Sequence, residues 1–370
     1  MAKAQETILE IDFKALEHNY KYLKSKLEKK TKFLAVVKAF AYGSDAKKVA
    51  LFLEKLNVDY FAVAYASEGK NLRDAGVTKP ILVLHPQPVN FKTIIKYCLE
   101  PSLYSAKILL DFQKTAKSLN QINFPVHIKF NTGLNRLGFS KSDVNYIASV
   151  LQSNNILSVK SVFSHLSASE DVKEKTFTHA QIKHFNLIID QFIAKIGYKP
   201  IVHLCNTSGV LNYPEAHYDM VRCGIGLYGF GNSQEENNKL IPITALKSII
   251  SQIHTIKKGT SVGYNRAYIS TQTCKIATIP IGHADGLGRQ YGCEIGCVYI
   301  NNIKALIVGN VCMDMIMVDV SNIDCQEGDE VVIFDRENSA EAMANYSKTI
   351  SYELITSISQ RIKRKYLNDF

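Results

Sequence analysis

The segment Ala35-Val36-Val37-Lys38-Ala39 sets a lysine at the end of an apolar run. Held there, an ammonium loses hydration, its pKa falls, and the neutral amine becomes available for Schiff-base chemistry with a carbonyl. A lysine that merely extends its head to water has the same signature, so Lys38 acquires meaning only from its companions. These are Arg136, His165 behind Val162-Phe163-Ser164, the run Asn206-Thr207-Ser208-Gly209, and Arg222 ahead of Cys223-Gly224-Ile225-Gly226. The two runs offer hydroxyls and backbone N–H groups suited to a phosphate, although each alone is equally an ordinary cap or turn. His165 has the chemistry of a base, a metal ligand or an aromatic packing partner. No Cys/His pair of zinc-like spacing accompanies it. Cys293-x-x-x-Cys297 and His283-Ala284-Asp285 likewise lack a second ligand pair, so no metal is expected.

What must position these groups is a recurrent alternation of short β-rich runs with helical patterns over residues 8–230. The runs fall at 33–38, 61–65, 81–85, 102–104, 126–130, 159–165, 201–205 and 220–222, which predicts a (β/α)8 barrel. In such a barrel the C-terminal strand ends form the active-site face. Lys38, Arg136, His165, Asn206 and Arg222 all fall at or just beyond strand ends, so they converge on one mouth. Ser44-Asp45 caps the helix carrying Val49, Phe52, Leu53 and Leu56, and Gly197 closes the amphipathic run before it. After about residue 240 the pattern becomes strand after strand, at 245–256, 274–279, 297–300, 305–308, 315–320 and 330–334, with helical sequence from Ala340 onward. The expected architecture is α/β: a barrel over 1–240 followed by a mostly-β unit over 241–370.

With 46% apolar residues, the chain can bury a large core. No stretch is apolar for long enough to cross a bilayer and no export signal is visible, so a soluble cytoplasmic protein without a membrane partner is expected. Eight scattered cysteines then read as reduced thiols. The formal charge of +10 is interleaved with acids except in the run Arg361-Ile362-Lys363-Arg364-Lys365, which argues against a nucleic-acid partner and fits anionic small ligands.

The segment AVVKAFAYG at 35–43 resembles the cofactor-attachment motif of alanine racemases, a family of fold-type III pyridoxal-phosphate enzymes. Similar segments follow in the family's order: HIKFNTGLNRLGF at 127–139, FSHL at 163–166, VRCGIGLYG at 221–229, SVGY at 261–264, PIGHADG at 280–286, VCMD at 311–314 and ISYE at 350–353. The resemblance spans nearly the whole chain. It implies pyridoxal 5′-phosphate as cofactor, carried by Lys38, and interconversion of L- and D-alanine by two bases, Lys38 and Tyr264. It further implies a homodimer whose active sites are shared across the interface, with Tyr264 and Met313 arriving from the partner.

By the same resemblance, Tyr42, Thr207, Gly224, Ile225 and Tyr352 contact the phosphate, with Asn206 behind them. Arg222 faces the pyridine nitrogen. Arg136 with the partner's Met313 holds the substrate carboxylate, while His165 and Arg289 support the Tyr264 phenolate. Lys129 matches a lysine that is carbamylated in some relatives. The chain departs from the common family pattern at Phe40, Ser44-Asp45, Asn131, Leu134 and His283. Of these, His283 stands where relatives carry a tyrosine at the substrate entrance, which puts substrate breadth in question.

Racemisation of serine or another small amino acid, and a non-catalytic pyridoxal-phosphate-binding protein, are the competing expectations. A carrier resembles the barrel alone, without the unit bearing Tyr264. Decarboxylases of similar fold place a carboxylate, not an arginine, against the pyridine nitrogen, so Arg222 speaks for racemisation. The expected role is supply of D-alanine for cell-wall peptidoglycan.

Overall fold

The structure is a computed structural model that describes residues 4–231 and 233–368. After a first strand, β1 (Ile8–Asp12), come eight parallel strands: β2 (Lys32–Val36), β3 (Tyr60–Val63), β4 (Ile81–Val83), β5 (Glu100–Leu103), β6 (Phe124–Lys129), β7 (Leu157–Phe163), β8 (Ile201–His203) and β9 (Met220–Cys223). They close on themselves, because β2 pairs with β9 through Lys32↔Met220 to Ala35↔Cys223 as well as with β3. This is the expected barrel. Its strands are short apolar runs because one face of each lines the packed interior and the other meets the surrounding helices. The caps read from sequence recur: Asp45 accepts from Lys47 N at 3.0 Å to start helix Ala46–Lys55, and left-handed Gly197 ends helix Lys175–Ile196.

The second unit carries β10 (Thr244–Ile249), β11 (Gln252–Ile256), β12 (Ser261–Val262), β13 (Tyr268–Ile269), β14 (Cys274–Ile279), β15 (Cys297–Ile300), β16 (Ile303–Val308), β17 (Ile316–Asp319), β18 (Glu330–Phe334) and β19 (Lys363–Leu367). Nine strands form one sheet in the order β11-β14-β17-β16-β15-β18-β10-β1-β19. The single run expected over 245–256 is two strands. The chain changes partner at its middle, where Ile250 N donates to Asp329 O and Ser251 N to Thr278 O.

Four strands escaped the sequence reading: β12 and β13, which pair only with each other, and β1 and β19, which belong to the nine-stranded sheet. β1 pairs antiparallel with β10 and parallel with β19, so the N-terminal segment is built into the C-terminal sheet. β19 is drawn from the basic run. Lysines on either side of β1 serve its buried Glu10 carboxylate: Lys365 of β19 lies 2.9 Å and Lys247 of β10 3.1 Å from it. Burial alone would raise the Glu10 carboxyl, but these two ammonium groups hold it below the ordinary range. Charged edge strands of this kind also discourage pairing with other chains.

The sheet grips the barrel beside Lys38. Arg364 of β19 donates from Nη2 to Gly43 O at 2.8 Å and from Nε to Ser44 O at 3.1 Å. Gly43 itself is left-handed at φ +81°, and a Cβ there would overlap the Ile355 carbonyl oxygen. Gly43→Ala is therefore expected to cost at least about 2 kcal/mol, from backbone strain plus the clash. Calorimetry checks this through a Tm lower by several degrees; an unchanged Tm would contradict the close approach.

Candidate active site

At the C-terminal mouth of the barrel lies a cavity of about 620 Å³ whose lining includes Lys38, Tyr42, Lys129, Arg136, His165, Asn206, Thr207, Arg222, Gly224, Ile225 and Tyr352. Residues from at least six loops and strand ends thus meet, as the barrel topology requires. Lys38 does not end β2 but stands two residues beyond it, at the start of an unusual turn. Ala39, Phe40, Ala41 and Tyr42 have φ of 51°, 55°, 53° and 53°, four consecutive left-handed residues. Each costs about 1–2 kcal/mol relative to ordinary backbone, so the surroundings must hold the turn. Glu68 accepts from Ala39 N at 2.6 Å, Tyr42 stacks on Tyr228 with ring centres 4.4 Å apart, and Arg364 clamps the far end.

Burial, and then the positive charge of Arg136, pull the Lys38 ammonium below the ordinary lysine value, with Glu68 opposing. Lys129 is drawn down to about 8 by burial and by the charges of Arg222, Arg136 and Lys38. This concentration of cations suits an anionic occupant.

Arg222 is buried in β9 and surrounded by acceptors. Its Nη2 donates to Ser164 O at 2.8 Å and to Leu204 O at 2.9 Å, and lies 3.0 Å from His165 Nδ1; its Nη1 lies 2.9 Å from His203 Nδ1. The guanidinium also rests 5.3 Å over the Phe163 ring, which stacks on His203 at 4.8 Å. Burial lowers Arg222 to about 10, so it stays charged at neutral pH. A guanidinium has donors and no acceptor, so Nδ1 of His165 must accept and the ring's single proton sits on Nε2. Burial, followed by the charge of Arg222, pushes His165 well below its usual value and keeps it neutral.

The phosphate-type groups form a cup beside Lys38. Gly224 N and Gly226 N both approach Thr207 Oγ1 at 3.3 Å, long bonds that leave these N–H groups able to turn to a better acceptor. A Cβ on Gly224 would overlap the Tyr42 hydroxyl, so glycine is what lets that phenol reach the backbone. Burial raises the Tyr42 and Tyr352 phenols and keeps both as donors. Asn206 stands behind, its Oδ1 accepting from Gly209 N at 2.9 Å and Ser169 Oγ at 2.8 Å. An amine poised for a carbonyl, a donor cup sized for a phosphate and a buried guanidinium together fit pyridoxal phosphate.

Four further sequence candidates do not line this cavity. Tyr264 and Met313 are 71% and 59% exposed and share a separate surface groove of the second unit with Gly263, Cys312 and Asp314. Arg289 is exposed, donating to Asn310 Oδ1 at 3.3 Å, and Asn310 Nδ2 in turn donates to Tyr264 O at 3.1 Å. His283 is exposed, its N–H bonded to Cys312 O at 3.0 Å. Sequence reasoning missed Glu68 and His203. Each carries a weak signal: an acidic residue early in a helix, and a histidine on the inward phase of a strand.

The alanine racemase N-terminal domain family matches residues 11–231, and the alanine racemase C-terminal domain family matches residues 243–366. The chain belongs to the alanine racemase family. An alanine racemase of Thermodesulfovibrio yellowstonii is 35% identical over 366 residues, 97% of each chain. The solved alanine racemase of Clostridium difficile superposes with a TM-score of 0.93 at 33% identity, covering 100% of this chain and 97% of that one. That of Bartonella henselae, solved with covalently bound pyridoxal phosphate, has a TM-score of 0.89 at 29% identity, covering 98% and 100%.

Because Arg136 contributes to the lowered Lys38 pKa, Arg136→Met should raise it toward the ordinary value, leaving less neutral amine at a given pH. In the cofactor-free chain, the pH midpoint for labelling Lys38 with an amine reagent should lie below that of surface lysines and move upward in the variant. A midpoint that stays put or falls would contradict the electrostatic account.

Proposed function

We propose that this chain interconverts L-alanine and D-alanine with pyridoxal 5′-phosphate held at Lys38, using Lys38 and Tyr264 as bases on opposite faces of the substrate. The observation that carries this is the division of the chemistry. The cavity holds the lysine, the guanidinium and the phosphate cup, while an exposed tyrosine stands on another unit. A second copy of the chain supplies that tyrosine, so the unit over 1–240, joined by Tyr352 of the same chain, binds the cofactor, and Tyr264 of the unit over 241–370 completes the partner's site.

The cofactor's conjugated ring withdraws electrons from the substrate Cα and makes its proton removable. Everything else falls to the protein. Lys38, whose charged form is disfavoured by burial and then by Arg136, takes or returns the proton on one face, and the Tyr264 hydroxyl does so on the other. His165 serves the tyrosine oxygen by donating from Nε2, the only nitrogen Arg222 leaves protonated. The partner's Arg289 adds positive charge on that side. Arg136, with the partner's Met313, receives the substrate carboxylate. With the cofactor bound, Arg222 would face its ring nitrogen as a donor, which would keep that nitrogen from binding a proton and favour return of the proton to carbon.

Thr207, Tyr42, Tyr352 and the backbone at Gly224 and Ile225 would hold the phosphate, with Asn206 bracing the turn. With a pKa of about 8, Lys129 is partly neutral at neutral pH and so is nucleophilic toward carbon dioxide; a carbamate there would offset the charges of Arg136 and Arg222. His283 stands near the partner-facing groove and bears on substrate breadth. The product fits supply of D-alanine for peptidoglycan in the cytoplasm.

The test is D-alanine formation from L-alanine by the loaded protein, alongside Cα–H exchange in deuterated water. Lys38→Ala and Tyr264→Phe should each lose racemisation by at least about 1,000-fold, reflecting removal of an acid–base group. Tyr264→Phe should still exchange the Cα proton of one enantiomer. Equal exchange of both enantiomers in that variant would overturn the two-base assignment, and a loaded but inactive wild type would overturn alanine as substrate.

A further inference from the structure

Below Arg222, a line of polar side chains runs through the barrel interior with no part in the chemistry above. His203 Nε2 lies 2.7 Å from Ser161 Oγ, Ser161 Oγ 2.5 Å from His127 Nδ1, and His127 Nε2 2.7 Å from Glu100 Oε2. With Arg222 to His203 at 2.9 Å, the line crosses adjacent strands β9, β8, β7, β6 and β5 in turn. His127, Ser161 and His203 are fully inaccessible and Glu100 is 8% exposed. Water therefore cannot replace a missing partner, and each bond must be satisfied within the line.

The two ends dictate where every proton sits. Arg222 only donates, so His203 Nδ1 accepts and the neutral ring carries its proton on Nε2. That N–H donates to Ser161 Oγ, whose own hydroxyl proton then points to His127 Nδ1. His127 in turn carries its proton on Nε2 and donates it to the Glu100 carboxylate. A guanidinium and a carboxyl group are thus joined by three groups that all donate in one sense.

We infer that Glu100 is a remote positioning residue for Arg222: by accepting from His127 it locks both histidines in their Nε2–H tautomers and keeps an acceptor facing the guanidinium. The inference rests on the reading of Arg222 as the group facing the reaction. Without an acceptor at position 100, His127 is free to carry its proton on Nδ1 and donate to Ser161. Ser161 must then either accept from both rings, which strands its own hydroxyl proton in the sealed interior, or donate to His203 Nε2, so that His203 presents an N–H to Arg222 and two donors meet. In the second arrangement the guanidinium must turn away, and the bond to His165 Nδ1 goes with it.

The experiment is nitrogen-15 NMR of histidine-labelled holoprotein, with kcat measured on the same samples. Wild type should show His203 and His127 as neutral rings, pyrrole-type at Nε2 and pyridine-type at Nδ1. Glu100→Leu should lose this pattern at both rings, and kcat should fall roughly tenfold to a hundredfold, the scale of a lost charge-assisted hydrogen bond. Glu100→Gln, whose amide oxygen still accepts, should restore the tautomers and most of kcat. The inference is overturned if wild-type His203 carries its proton on Nδ1 or on both nitrogens, if Glu100→Leu leaves the His203 signals unchanged, or if Glu100→Gln behaves like Glu100→Leu. The wild-type spectrum decides even should Glu100→Leu fail to fold. Tautomers are read without turnover, so a wrong substrate would leave this result standing.

Discussion

A guanidinium sunk at the barrel mouth sets the terms for its whole neighbourhood. Arg222 is 5% exposed and meets two backbone carbonyls and two imidazole nitrogens, every one of them an acceptor. Burying a charge is costly unless it is fully hydrogen-bonded, so strands and loops that supply those acceptors must keep their positions. The charge then propagates outward as information about protons. His165 offers its N–H to the cavity, His203 offers its own to the barrel interior, and the guanidinium's charge helps draw Lys129 down toward its neutral form. One fixed donor thereby prepares an anion site and shifts a neighbouring lysine.

The second constraint is mechanical. Lys38 heads four left-handed residues that no local preference would choose, and the turn survives because both units hold it. Glu68 and Tyr228 grip it from the barrel, while Arg364 and the helix Ser351–Ser357 press from the other side. The N-terminal strand pairing into the C-terminal sheet ties the same two units together. Placement of the reactive amine is therefore a property of the whole chain.

Much of this was legible in sequence, for definable reasons. The barrel strands announce themselves because each is a brief apolar run buried on both faces, and candidates at their ends fall into one cavity because parallel strands all end on one side. β1 and β19 were hidden: Ile8–Asp12 is short and finds its partners more than 200 residues away, and Lys363–Leu367 reads as surface charge until Glu10 is seen beneath it. Glu68 and the line from His203 to Glu100 were hidden for a related reason. Which polar residue faces inward, and toward what, depends on barrel closure and not on spacing along the chain. Tyr264, Met313 and Arg289 carry no local signal of their own; only the resemblance to the family singled them out, and it alone placed His283 at the substrate entrance.

The most direct test of the dependence on Arg222 is the racemisation rate of Arg222→Lys, measured with the loaded cofactor quantified by absorbance. A lysine keeps the charge but offers a single ammonium where the fork reaches acceptors from both of its nitrogens. The account predicts a folded, cofactor-loaded protein with kcat/KM for alanine reduced by at least about 100-fold, the loss expected when charge-assisted hydrogen bonds are removed. Activity close to wild type would show that positive charge alone suffices, and would contradict the claim that the fork and its acceptors organise the site.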